Sequence, residues 1–319
     1  METPSSPLAP AKLYAMSLKL RPTERGSIMP FSGELVHGAW LNWIRDAAPD
    51  VASMLHDGNK RRLFTCSSLQ FPLSTQRLQQ MERDNAHVHL DPEKVYTLRI
   101  TLLLGELFPL FYNTLLRVNM TSLERQRQPF IKIGQQSFWL EEVVATGDDA
   151  AQWTGFTSFT QLFEAAQALK LPQIQPLILQ FDSLTTFNRS SPGENHYARL
   201  PLPHYIFPGL ARRWQELAPP ELAEVVQKEQ IEQYIAEEGI LIEDYELKAH
   251  RVCFVRHPQK GFVGRCKYYL RGPDEATTPE HRLTVRQQIL LLAQLAFYTG
   301  CGYKTTMGMG RVRVVRQMI

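Results

Sequence analysis

Residues 300–310, Gly-Cys-Gly-Tyr-Lys-Thr-Thr-Met-Gly-Met-Gly, set four glycines between an apolar helical pattern over residues 281–298 and a basic, alternating stretch over residues 311–315. The order helix, glycine loop, strand rules out two common nucleotide folds. A P-loop needs a strand before the loop and a lysine directly after its last glycine, followed by Ser or Thr; here a helix precedes the loop and Arg311 follows Gly310. A dinucleotide fingerprint needs strand, then G-x-G-x-x-G, then helix. Glycines lack a Cβ, so the chain can take positive φ and let another backbone come close, and Gly300 also reads as the cap that ends the preceding helix. Lys304, Arg311, Arg313 and Arg316 lie beside the loop. Their charge suits a polyphosphate backbone as its guest.

Hydrophobic residues make up 44% of the 319 positions, enough for two ordinary cores. The net charge of only +3 means that any nucleic-acid-binding charge must be local. Four cysteines, Cys66, Cys253, Cys266 and Cys301, form no C-x-x-C pair and read as buried thiols of a reducing compartment. Residues 1–11 lack the basic and apolar regions of a signal peptide. The most apolar run, residues 289–298, is interrupted by Gln294 and falls short of the roughly 20 residues that span a bilayer. A soluble, cytoplasmic protein with no membrane contact is the expectation.

Met16, Leu18 and Leu20 alternate with Ser17, Lys19 and Arg21, the period of a half-buried strand. A helix follows Ser32, then strands near residues 61–69 and at Leu98, Ile100 and Leu102, a helix over 106–117 and a strand over 138–145, with 84–91 as a loop. After a change of unit between residues 145–154 and 171–176, the pattern predicts strand 177–187, helices 204–217 and 220–237, strands 247–255 and 262–270, helix 281–298 and strand 311–315. Both halves read β-α-β-β-α-β, the second with an extra helix. The expected fold is α+β with tandem ferredoxin-like domains over residues 1–150 and 171–319. Arg265, Lys267 and Tyr269 share one strand face with Val263 and Arg271, and Arg311 and Arg313 share another. Such faces suit single-stranded RNA through phosphate contacts and base stacking, or are ordinary solvated sheet faces.

Among nine histidines His37 stands out. Val36, Trp40, Trp43, Ile44 and Ala47 form the apolar stripe of a helix, and at about 100° per residue His37 falls at its margin, held yet able to reach a cleft. A structural histidine and a general acid or base both fit that position. His87 and His89 alone cannot make a metal centre, which needs three or four ligands.

The double G-x-G around Tyr303-Lys304-Thr305-Thr306, between last helix and last strand, resembles the signature loop of the RAMP proteins and specifically of the Cas-six family of CRISPR endoribonucleases. The resemblance implies tandem ferredoxin-like domains, cleavage of precursor CRISPR RNA within its repeats, and neither metal nor cofactor. It implies that RNA is held by Gly300, Gly302, Tyr303, Lys304, Thr305, Gly308, Gly310 and Arg311, with Arg313, Arg265 and Lys267 as neighbours. A catalytic histidine on or just before the first helix is matched by His37, which would move a proton during 2′-hydroxyl attack. Several relatives add a tyrosine and a lysine there; this first helix has no lysine, leaving Arg45 or Lys60 as substitutes. Expected partners are CRISPR repeat RNA and, left open, other CRISPR-associated proteins or a second copy of the chain. An RNA-holding subunit without activity would use the same loop and face, and His37 separates the two readings.

Overall fold

The computed structural model describes residues 12–47, 63–109, 111, 130–145, 153–169, 176–189, 196–254, 257–272 and 282–315. In chain order the first elements are β1 (Lys12–Pro22), β2 (Gly26–Ile28), α1 (Gly33–Ala47), β3 (Phe64–Cys66), α2 (Thr75–Arg83), β4 (Val88–Leu90), β5 (Tyr96–Leu102), β6 (Phe130–Ile133) and β7 (Gln136–Val144). Next come β8 (Gly155–Ser158), α3 (Phe159–Ala168), β9 (Leu177–Thr185), β10 (Phe187–Asn188), β11 (Tyr197–Ala198), α4 (Pro203–Leu217), α5 (Pro220–Ala223) and α6 (Lys228–Ala236). The last are β12 (Ile240–Cys253), β13 (Pro258–Leu270), α7 (Val285–Thr299) and β14 (Val312–Val315).

The first sheet runs β3-β5-β1-β7-β6 and the second β12-β13-β9-β14, all pairs antiparallel. Numbering the main strands of each half one to four, both sheets follow the spatial order 2-3-1-4 of the ferredoxin-like split βαβ unit. Alternation explains each sheet's core. On β1, Met16, Leu18 and Leu20 are fully buried and pack with Val36, Trp40 and Ile44 of α1. In the second half, Leu179 and Phe181 of β9, Cys266 and Tyr268 of β13 and most of α7 enclose another core.

Several expectations change in detail. Residues 84–91 are not all loop: Val88–Leu90 is β4, paired with β2. The helix expected over 220–237 is broken into α5 and α6. The strand expected over 61–69 is only Phe64–Cys66, with Arg61 and Arg62 outside the described residues. Most of the expected helix 106–117 also lies outside them. Between the halves, β8 pairs with β1 of the first sheet, whereas Phe159, Leu162 and Phe163 of α3 enter the second core. No helix among the described residues is long and apolar enough to cross a membrane.

Candidate catalytic site and nucleic-acid interface

Helix α1 is fixed at its start by Ser32, whose hydroxyl accepts from the Leu69 amide at 3.0 Å and whose amide donates to the Ser68 hydroxyl at 2.8 Å. Its buried stripe of Val36, Trp40 and Ile44 turns His37 to the stripe's half-exposed margin. The imidazole lies over buried Phe64, centroids 5.7 Å apart and 20° from parallel. His37 Nδ1 is 3.0 Å from the carbonyl oxygen of Thr306, in the glycine-rich loop of the other half. A carbonyl only accepts, so Nδ1 carries the proton. In the neutral ring Nε2 is then the basic nitrogen, the tautomer a general base requires.

The loop reaches that point because both of its ends are pinned. Thr284 and Gln287 form a capping box at the start of α7, and Gly300, at φ 66°, ends the helix. The amides of Cys301, Tyr303, Gly308 and Gly310 donate to the carbonyls of Gly310, Thr186, Cys66 and Leu184 at 2.8 to 2.9 Å. Residues 305–307 make one 3₁₀ turn, after Lys304 in the left-handed region at φ 55°. Gly308 has φ 88°, and a Cβ there would stand 2.8 Å from the Ser68 amide nitrogen. Facing it, a Cβ on Gly33 of α1 would stand 1.9 Å from the Met307 carbonyl oxygen. The close approach these glycines permit is therefore to protein backbone. Gly308 and Gly310 are buried, Gly302 is exposed, and Gly300, Tyr303, Lys304 and Thr305 are half-buried.

The cations separate in the same way. Arg45 lies eight residues beyond His37, about 12 Å along the helix, and donates to Asn42 of its own helix at 2.7 Å. Lys60 lies outside the described residues. Lys304 is two residues from the carbonyl that holds His37, with Nζ 3.8 Å from the Phe254 ring centroid and 5.6 Å from that of Tyr303. Lys267 pairs with Glu243 at 2.9 Å and faces Asp244 across the ladder, and Arg265 faces Glu246. Carboxylates thus balance the sheet face that the sequence presents as basic. Arg311 is ion-paired to Asp182. Arg311 and Arg313 stand 4.8 and 4.3 Å from the Trp153 ring centroid, and desolvation by burial lowers the Arg313 pKa.

Two residues of this cluster escape a reading by sequence. Buried Arg99 of β5 donates to the carbonyls of Trp153 and Phe297, each at 2.7 Å, while Thr101 donates to that of Tyr298 at 2.8 Å. Burial, and after it Arg311, pushes the Arg99 guanidinium down to about 9, leaving it a cation at neutral pH. Together Arg99 and Thr101 satisfy the Phe297 and Tyr298 carbonyls at the end of α7 from the other half of the molecule. Alternation on β5 identifies Arg99 only as polar, and its partners lie 54 and 198 residues away. Between the halves, a cleft of about 1070 Å³ is lined by Gln70, Glu82, Asp182, His250, Arg265 and Arg311 among others. His250 and Glu82 span it at 3.1 Å. The four cysteines are free thiols; burial raises Cys66, Cys266 to about 11 and Cys301 to about 12, so these three stay protonated. His87 and His89 find no companion ligands for a metal among the described residues.

Two family models cover the chain almost end to end: the CRISPR Cas6 N-terminal domain over residues 13–164 and the CRISPR-associated endoribonuclease Cas6 over residues 179–312. The chain belongs to the Cas6 family. Cas6 proteins are endoribonucleases of CRISPR systems, and this one carries the family's tandem ferredoxin-like fold. A product complex of the Cas6 TTHB231 is similar over 96% of this chain and 100% of its own, at 24% identity and a TM-score of 0.70. The Thermus thermophilus Cas6 of that designation also matches without that description, at 23% identity, the same coverages and a TM-score of 0.61. A product complex of the Cas6 TTHA0078 has 22% identity, the same coverages and a TM-score of 0.61. No curated protein sequence matches the chain.

Proposed function

We propose that this Cas6 chain cuts precursor CRISPR RNA within its repeats by metal-independent attack of a ribose 2′-hydroxyl, with His37 as the general base. The observation that carries the reading is the bond between His37 Nδ1 and the Thr306 carbonyl. It fixes the tautomer and joins the candidate base to the loop expected to hold RNA. Nε2 takes the proton of the 2′-hydroxyl; the 2′-oxygen bonds to phosphorus as the bond to the 5′-oxygen breaks. The departing oxygen takes a proton from water, the protonated His37 gives its proton to the hydroxide left behind, and the products carry a 2′,3′-cyclic phosphate and a 5′-hydroxyl. Charge builds on the phosphoryl oxygens along this path, and a fixed cation there lowers the barrier. Lys304 is the cation we assign to that task, ahead of Arg45, because it shares the loop with the carbonyl that orients His37. Exposed Gly302 and half-buried Tyr303, Lys304 and Thr305 form the accessible part of the RNA surface, and the buried glycines shape it.

Relatives of known structure are consistent with such a role. Two are described as product complexes, one as a substrate mimic complex and one as a histidine-to-alanine mutant. The direct test is the chemistry of the ends. Repeat RNA cut by the purified chain should yield a 5′ fragment whose 3′ end opens only after acid treatment, and a 3′ fragment that polynucleotide kinase labels without prior dephosphorylation. Fragments with 5′-phosphate and free 3′-hydroxyl ends would overturn the mechanism.

A further inference from the structure

The β10–β11 hairpin is bonded directly to the glycine-rich loop. Thr186, at its base, accepts from the Tyr303 amide at 2.8 Å, and its hydroxyl donates to the Ala198 carbonyl at 2.9 Å. Tyr197 of the hairpin thereby meets Tyr303 of the loop, centroids 5.5 Å apart and 45° from parallel. Behind them Tyr205 stacks on buried Phe187 at 5.7 Å, with Arg189 5.4 Å from its centroid and His204 4.0 Å from it. Arg189 and Arg199 are exposed, and residues 186–189 and 196–205 contain no Asp or Glu. This contrasts with the β12–β13 face, where Glu243, Asp244 and Glu246 offset Lys267 and Arg265.

Position makes the patch useful. Tyr303 is three residues from Thr306, whose carbonyl holds His37. At roughly 3.5 Å of chain per residue, that separation is no more than about 10 Å, one to two nucleotides of extended RNA. Aromatic rings of half-exposed tyrosines accept any base by stacking, and flanking cations take the phosphates. We infer that Tyr197 and Tyr303 form a stacking platform for an unpaired nucleotide next to the scissile phosphate, with Arg189 holding its phosphate. The inference rests on the endonuclease reading and adds the hairpin, which the glycine loop does not include, as a determinant of where the RNA is cut.

A thermodynamic cycle tests it with the full-length chain. The probes are repeat RNAs blocked by a 2′-deoxy nucleotide at the cut site, each with an abasic residue at one of the two positions flanking the scissile phosphate. In the native chain, removing the stacked base should raise Kd roughly 5- to 100-fold at one of the two positions. In Tyr197→Ala the same abasic RNA should cost nothing further, whereas Tyr197→Phe should keep the native pattern. Arg189→Gln, which leaves the rings in place, should reduce the slope of log K against log salt by about 0.7. Abasic penalties equal in the native chain and Tyr197→Ala at both positions, or an unchanged salt slope in Arg189→Gln, would overturn the platform. Cleavage of unblocked RNA is followed in parallel. If the native chain cuts while the cycle shows no coupling, the platform alone fails; if it neither binds nor cuts, the endonuclease reading fails with it.

Discussion

At the scale of single residues the account turns on one imidazole. His37→Ala removes a general base, so cleavage should fall about 10²- to 10⁴-fold while repeat RNA is still bound, as single-turnover rates and filter binding would report. Equal losses in binding and cleavage would make His37 a structural residue. Lys304→Ala should also lower the single-turnover rate, by more than it weakens binding; an Arg45→Ala chain that lost as much rate would contradict our choice of cation. The place of His37 on the helix was legible in the sequence because the apolar stripe of α1 sets Val36, Trp40 and Ile44 inside and leaves it at the margin. Its partner was not legible, since Thr306 lies 269 residues away and contributes only a carbonyl, which every residue type possesses. Arg99 was hidden for the same reason.

At the scale of elements, periodicity fails where an element buries little or is too short to alternate. Helix α2 has no fully buried residue and sets only Leu78 and Met81 against the first core, and β4 offers only Val88-His89-Leu90. The glycine loop was recognised from its composition and position, but the surface its glycines meet could not be read from sequence, because residues far along the chain, Phe31, Gly33, Ser68 and Thr186, supply it. The contact yields a prediction whose sign runs against helix propensity. Alanine in place of glycine inside a helix stabilises it by up to about 1 kcal/mol. At Gly33 the added Cβ would stand 1.9 Å from the Met307 carbonyl oxygen. Gly33→Ala should therefore destabilise the chain and displace the loop from His37, lowering cleavage at least about tenfold, the effect of roughly 1.4 kcal/mol. A chain as active as the native one, with an unchanged melting temperature, would show that loop and helix do not have to meet this closely.

At the scale of the whole molecule, two sheets of the same strand order meet at one joint, and the proposed site lies there. The joint has an apolar part, where Phe31 packs with Leu184, Val252, Phe254 and Met309, and a polar part, where Arg99 and Thr101 hold the end of α7, Cys66 holds Gly308, and Thr306 holds His37. Arg99→Met would leave the Trp153 and Phe297 carbonyls without the guanidinium, and unsatisfied buried acceptors cost about 1 to 3 kcal/mol each. Urea denaturation should show a loss of about 2 to 6 kcal/mol for the two acceptors together, with cleavage more sensitive to subdenaturing urea than in the native chain. Unchanged stability and activity would mean that water replaces the guanidinium without consequence. The alternating patterns of both halves made the paired architecture readable from the sequence, whereas the joint between them, where backbone carbonyls and a buried cation meet beside an apolar cluster, was not. The most direct test of the central claim is cleavage of the cognate repeat RNA in excess EDTA, beside a copy with a single 2′-deoxy nucleotide at the cut site. The account predicts undiminished cutting of the first, none of the second, and cutting of the first slowed about 10²- to 10⁴-fold in His37→Ala; cutting that stops in EDTA, or that continues past the 2′-deoxy nucleotide at the same bond, would contradict it.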